Sequence, residues 1–124
     1  MIPLTIFERC GGFRTVRQIV DRFFDRAIDS RVVSPYFVHI NWWVMNRLVN
    51  RQTKFIASLM GGPDSYSNDQ IRHYYSTKGM PEPVFLAALE LLGEILEEFG
   101  FEKTDVQTIR GELMNRKDLI VTRG

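Results

Sequence analysis

The chain has 124 residues, 44% of them hydrophobic and 25% charged, and a formal net charge of +1. Such a composition excludes a disordered chain, and the length is enough to bury a core without disulfides or metals. The near-neutral balance gives no electrostatic case for nucleic acid or for an anionic membrane as partner.

In chain order, the opening Met-Ile-Pro-Leu-Thr-Ile-Phe has no basic stretch and reaches a charge at Glu8, so it fits neither a secretion signal nor an anchor. Cys10 is the one cysteine, which rules out an internal disulfide and fits a reducing cytoplasm. Gly11-Gly12 then separates a short N-terminal segment from an amphipathic helix over about Phe13–Ile28. Its apolar stripe is 16, 19, 20, 23, 24, 27 and 28, with Arg17, Asp21, Arg22, Asp25 and Arg26 on the other face. A second helix is expected over Trp42–Met60, with a stripe of 45, 48, 49, 52, 55, 56, 59 and 60, stopped by Gly61-Gly62-Pro63. Trp42 and Trp43 are expected to pack at its start or to offer a partner surface.

A weaker helix lies near Asp69–Thr77. The clearest one spans Pro81–Phe99, with Phe85, Ala88, Leu89, Leu92, Ile95, Leu96 and Phe99 inward and Gly100 as a left-handed C-cap. A last helix begins near Thr104 as N-cap and turns Val106, Ile109 and Leu113 inward. The five prolines fall between the apolar-periodic stretches, where they can start or separate helices without breaking one. With no strand alternation, no repeat and no linker, the expectation is one all-α domain over residues 1–124 with about five helices, and no apolar run approaches the ~18–20 residues that cross a bilayer.

Gln52 is the odd residue, because it stands where the helical period of the 42–60 segment asks for an apolar side chain. Burying an amide without a partner costs roughly 1–3 kcal/mol. Gln52 is therefore expected either to hydrogen-bond a backbone carbonyl or tyrosine hydroxyl, or to face a cavity as a donor to a small polar ligand. On the cavity view, Gln52→Leu would raise stability or leave it nearly unchanged while weakening any polar ligand. Arg51, at the edge of the same face, is either a solvated charge or a clamp for an anionic group at a pocket mouth. Nine Phe, four Tyr and two Trp fit a filled core or a pocket for a flat apolar ligand. Glu97 and Glu98 fit a solvated helix face, and no phosphate loop, zinc-ligand cluster or Cys/His pair at catalytic spacing occurs.

Several stretches resemble the truncated haemoglobin family, in its group I form. Ile-Phe-Glu-Arg-Cys-Gly-Gly at 6–12 is similar to that family's opening helix and first double glycine. Val-Asp-Arg-Phe-Phe-Asp-Arg at 20–26 is similar to its second helix, and Pro-Tyr-Phe at 35–37 to the segment holding a pocket phenylalanine. The most specific stretch runs from Arg47 to Tyr66 and resembles the distal helix, the second double glycine and a following tyrosine. The resemblance covers roughly residues 4–114 and implies a two-over-two α-helical sandwich around a haem that binds small gases such as oxygen or nitric oxide. It also implies site roles. Phe24, Leu48 and Gln52 would form the distal pocket, with Gln52 donating to bound ligand. Phe24 stands where a tyrosine hydroxyl is common, so one donor is missing. Phe37 and Phe55 would pack on the porphyrin, and Arg51 would pair with a propionate.

The departure from the family is proximal. Members carry an iron-binding histidine on the helix after the second double glycine, and the ungapped match puts Tyr75 at that position. His73 lies two residues earlier, about 200° round a regular helix. Three arrangements remain open: a shifted helix that lets His73 ligate, ligation by Tyr75 as a phenolate as in catalase, or a pocket without iron. His39 fits a loop cap or a distal ligand. The leading expectation is a haem-binding globin that binds or senses a diatomic gas through atypical proximal ligation. The alternative is a haem-free globin-fold sensory or interaction module, with a protein partner or a homodimer in either case.

Overall fold

The computed structural model describes residues 2–36, 40–76 and 79–122. Among them the helices are α1 Ile6–Cys10, α2 Phe13–Ala27, α3 Trp42–Leu59, α4 Asn68–Ser76, α5 Glu82–Glu98, α6 Lys103–Asn115 and α7 Lys117–Ile120, with a 3-10 turn at Ser34–Tyr36 and no strand.

Local chemistry sets the ends. Thr5 and Glu8 form a capping box at the start of α1: the Thr5 hydroxyl accepts from the Glu8 amide and the Glu8 carboxylate from the Thr5 amide, both at 3.1 Å. The Asn41 side chain accepts from the Val44 amide at 3.0 Å and caps α3. After α3 the chain turns through Gly61, whose φ of 85° suits glycine. Gly62 is required for a different reason, since a Cβ there would lie 2.8 Å from the Ala57 carbonyl oxygen. The double glycine thus folds the chain back tightly enough for the Phe7 amide to bond the Met60 carbonyl at 2.9 Å.

α2 packs on α3 and α5 on α6, and contacts of α2 with α5 and of α3 with α6 stack the pairs two over two. Val16, Ile19, Ile95 and Ile109 are completely buried between the layers. Arg22 and Arg26 of α2 meet Glu94 and Glu98 of α5 in an exposed ion-pair network, each pair worth little by itself. α4 stands outside this arrangement. Its main support is α7, and the residues after both helices are joined by two bonds. The Thr122 amide donates to the Met80 carbonyl at 2.9 Å, and the Met80 amide to the Thr122 hydroxyl at 2.7 Å.

Several local expectations are corrected. Thr104 is inside α6, which begins at Lys103 with Glu102 at the cap position and no side-chain cap bond. The cause is the end of α5: Gly100 donates to Glu97 at 2.9 Å and Phe101 to Leu96 at 3.0 Å. That Schellman closure leaves two residues, Phe101 and Glu102, before the next helix. Ile28 drops out of the α2 stripe because it follows the last helical residue, and it is exposed. Phe99 is likewise at a C-cap and exposed. Trp42 and Trp43 do not pack into the core at the start of α3; they are 67% and 65% exposed and stack on one another at 4.5 Å. The estimate of about five helices omitted α1 and α7, which are too short to show a hydrophobic period.

Candidate functional site

A cavity of about 220 Å³, partly open to the surface, lies between the layers. The residues of α3 that reach it, Val44, Leu48, Gln52, Phe55 and Ile56, recur at the three- and four-residue spacing of one helix face. α2 contributes Val20, Phe23 and Phe24, α5 contributes Val84, Phe85, Ala88, Leu89 and Leu92, and Leu113 and Ile120 close the far end. Nearly all of this wall is carbon. Phe24 brings no hydroxyl, and the polar side chains on the wall are Gln52 and the tyrosines Tyr36, Tyr74 and Tyr75.

The opposite wall belongs to α4. Ser67 and Gln70 form a capping box there: the Gln70 amide donates to the Ser67 hydroxyl at 3.1 Å and the Ser67 amide to the Gln70 side chain at 2.8 Å. With its start fixed, α4 buries Ile71 and Tyr75, four residues apart, and leaves His73 exposed. The half-buried Gln52 amide donates to the Tyr75 hydroxyl at 3.2 Å. Burial pushes Tyr75 up to about 12, against the lowering effect of the Gln52 bond and with a small further rise from Tyr74.

A second void, about 440 Å³, opens outward between α3 and α4, lined by Arg51, Gln52, Phe55, Tyr66, Gln70, Ile71, His73, Tyr74 and Tyr75. The Arg51 guanidinium lies 4.6 Å over the Tyr74 ring, a cation–π contact. Tyr74 in turn meets Tyr75 edge to face at 4.9 Å, and Phe55 meets Tyr66 at 6.0 Å.

Of the residues singled out by sequence, Phe24, Leu48, Gln52, Phe55 and Tyr75 stand around the inner cavity, and Arg51 and His73 around the outer cleft. Gln52, Phe55 and Tyr75 border both. Phe37 and His39 lie outside the described residues. Sequence reasoning missed Tyr74, which carries Arg51, and the cavity residues Tyr36 and Met80. Tyr36 adjoins the quoted Pro-Tyr-Phe segment and was open to notice; Tyr74 had no such signal. The argument that Gln52→Leu would be neutral is also weakened, because the amide serves a buried hydroxyl of the fold.

Chemically, an apolar cavity beside a cleft with one cation would suit, if the two opened into one another, a flat apolar molecule whose outer edge is anionic. The phenol of Tyr75 and the amide of Gln52 meet on the boundary between the two spaces. Among the described residues no cluster of three or more His, Cys, Asp or Glu could hold a bare metal ion, and no helix is long and apolar enough to cross a membrane.

Comparison with known proteins agrees with this architecture. The family model described as bacterial-like globin matches residues 5–121. A group 1 truncated hemoglobin of Mycolicibacterium paratuberculosis is 27% identical over 111 residues, which are 90% of this chain and 79% of that protein. Another, of Tetrahymena pyriformis, is 26% identical over 98 residues, 79% of this chain and 78% of that one. The crystal structure of truncated hemoglobin from Tetrahymena pyriformis in its Fe(III) form superposes with a TM-score of 0.82 at 21% identity, covering 97% of this chain and 100% of that one. The 2/2 hemoglobin from Synechococcus with covalently attached heme gives 0.76 at 22% identity, over 94% and 98% of the two chains.

Proposed function

This chain belongs to the bacterial-like globin family, and from that premise we propose that it binds haem between α3 and α4, with Tyr75 as the proximal ligand and Gln52 as the distal donor to a diatomic gas. The observation that carries this reading is the Tyr75 hydroxyl, held inside the cavity directly across from Gln52 while His73 is exposed on the outer cleft.

The side chains present suit the group chemically, and the bond between Gln52 and Tyr75 has to open to admit it. Phe24, Leu48, Phe55 and Phe85 offer apolar walls to a macrocycle, and Arg51 offers a cation to its carboxylate edge. A phenol oxygen is an accepted haem ligand. Bound haem would supply an iron centre able to take oxygen or nitric oxide. Tyr75 would hold that metal through its phenolate, which requires loss of a proton that burial retains up to about 12. A metal's own charge reverses that preference. A hard anionic oxygen stabilises the ferric state, which favours sensing or haem handling over reversible oxygen storage. Gln52 would donate to the ligand on the other side, without help from a hydroxyl at Phe24.

Titration with haemin tests the assignment. A phenolate charge-transfer band is expected, abolished by Tyr75→Phe and untouched by His73→Ala. The reverse pattern would move the ligand to His73. A haem-free sensory or interaction module is the second reading, favoured by one observation: Gln52 and Tyr75 already satisfy each other. Failure of the unmodified protein to take up haemin would establish it in place of the first.

A further inference from the structure

The inner cavity and the outer cleft share Gln52, Phe55, Tyr74 and Tyr75, so the bond between Gln52 and Tyr75 is part of the wall dividing them. An inner volume of about 220 Å³ is below the roughly 300–1,000 Å³ usual for pockets of drug-sized ligands. Only by joining the cleft does it become a slot for a large flat molecule. At 3.2 Å the amide and the hydroxyl are in direct contact, whereas an aromatic layer needs about 3.5 Å on each of its faces. The bond and a macrocycle therefore exclude one another.

We propose that the Gln52–Tyr75 hydrogen bond is a bolt across this slot, and that the slot takes flat tetrapyrroles with an acidic edge whether or not they carry a metal. The inference rests on the haem-site reading above. Among the described residues no buried side-chain nitrogen or oxygen lacks a partner, so the bolted slot has no orphaned group waiting for a ligand. A metal bond to Tyr75 replaces a bond already made. The apolar walls and Arg51, in contrast, meet carbon faces and carboxylates, which are the same with or without iron. Affinity then comes mainly from the macrocycle, and the bolt opposes it.

Metal-free protoporphyrin IX separates these contributions. Its affinity, from absorbance and fluorescence titration, is compared with that of haemin for the unmodified protein, Gln52→Leu, Tyr75→Phe and the double variant, with circular dichroism confirming the fold of each. The unmodified protein is expected to bind the metal-free porphyrin within about tenfold of haemin. Each single variant is expected to bind it about two- to tenfold tighter, the equivalent of one net hydrogen bond. The double variant is expected to gain no more than the better single one, because one bond is lost once. Should one single variant fail to fold, the other decides. Haemin binding with the metal-free porphyrin weaker by more than about a hundredfold would overturn the proposal, as would single variants that bind no tighter. If neither porphyrin binds any of the proteins, the haem-site reading itself has failed, a result distinct from both.

Discussion

Replacing Gln52 by leucine removes the partner of a hydroxyl on a residue only 8% exposed. Leaving such a group buried without a bond costs about 1–3 kcal/mol. The leucine regains part of that by apolar contact with Phe55 and Phe24, so a net loss of about 1–2 kcal/mol is expected. Tyr75→Phe is the milder change. It removes the hydroxyl and leaves an amide that is half-buried and borders the outer cleft, where water can serve it, for about 0.5–1 kcal/mol. In the double variant both polar groups are gone and two apolar side chains meet, which should be close to neutral. The pair therefore ought to show a coupling of about 1.5–3 kcal/mol in a double-mutant cycle. Urea denaturation of the haem-free protein measures all four stabilities, with an unchanged m-value as the control for a common unfolded state. Two results would refute the reasoning: a Gln52→Leu loss no larger than that of Tyr75→Phe, or losses that add to within about 0.3 kcal/mol.

Further outcomes follow from burial and charge. Because burial holds Tyr75 protonated up to about 12, the folded state binds more protons than the unfolded one above the ordinary tyrosine pKa. Haem-free stability should therefore fall between about pH 10 and 12, and Tyr75→Phe should flatten that limb in pH-dependent melts. Asp105 is held below its ordinary value of 3.8 by the hydrogen bond from Arg9, 2.8 Å away. Its contribution is complete above that value and lost as pH falls through the folded pKa, so Asp105→Asn should remove part of the acid sensitivity seen by circular dichroism. Ile95→Ala, at a position with no exposure, should cost about 2–5 kcal/mol in chemical denaturation. Trp42 and Trp43 are the only tryptophans and are both exposed, so emission should be that of hydrated indole and open to acrylamide quenching. Shielded emission would contradict their placement.

The long helices were legible because their apolar residues recur over many turns. The expected Phe13–Ile28 is α2 to within one residue, as Trp42–Met60 is for α3. Periodicity also exposed Gln52, the one polar interruption of a stripe. It misjudged Thr53, buried on α3 with its hydroxyl bonded to the Val49 carbonyl at 2.7 Å. A threonine that satisfies itself against its own helix gives no outward sign of burial. The site was half legible. Spacing marked one face of α3, but the partner of Gln52 lies 23 residues away on α4, and no local pattern predicts which tyrosine crosses a cavity. Arg51, read from sequence as either a solvated charge or a clamp at a pocket mouth, is exposed beside the outer cleft, and its contact with Tyr74 depends on how α4 docks, which no local pattern in the chain encodes.

That docking has a practical side. The helix carrying Tyr75 rests mainly on α7, and the loop after it is tied to Thr122. The last turns of the chain are thus a strap that keeps a distant tyrosine in register. A purification handle fused to the C-terminal end would load this strap, and trimming the chain before Lys117 would cut it and take Ile120 out of the cavity wall, in either case loosening the hold on Tyr75. Handles belong at the other end, where the capping box at Thr5 insulates the first helix from what precedes it.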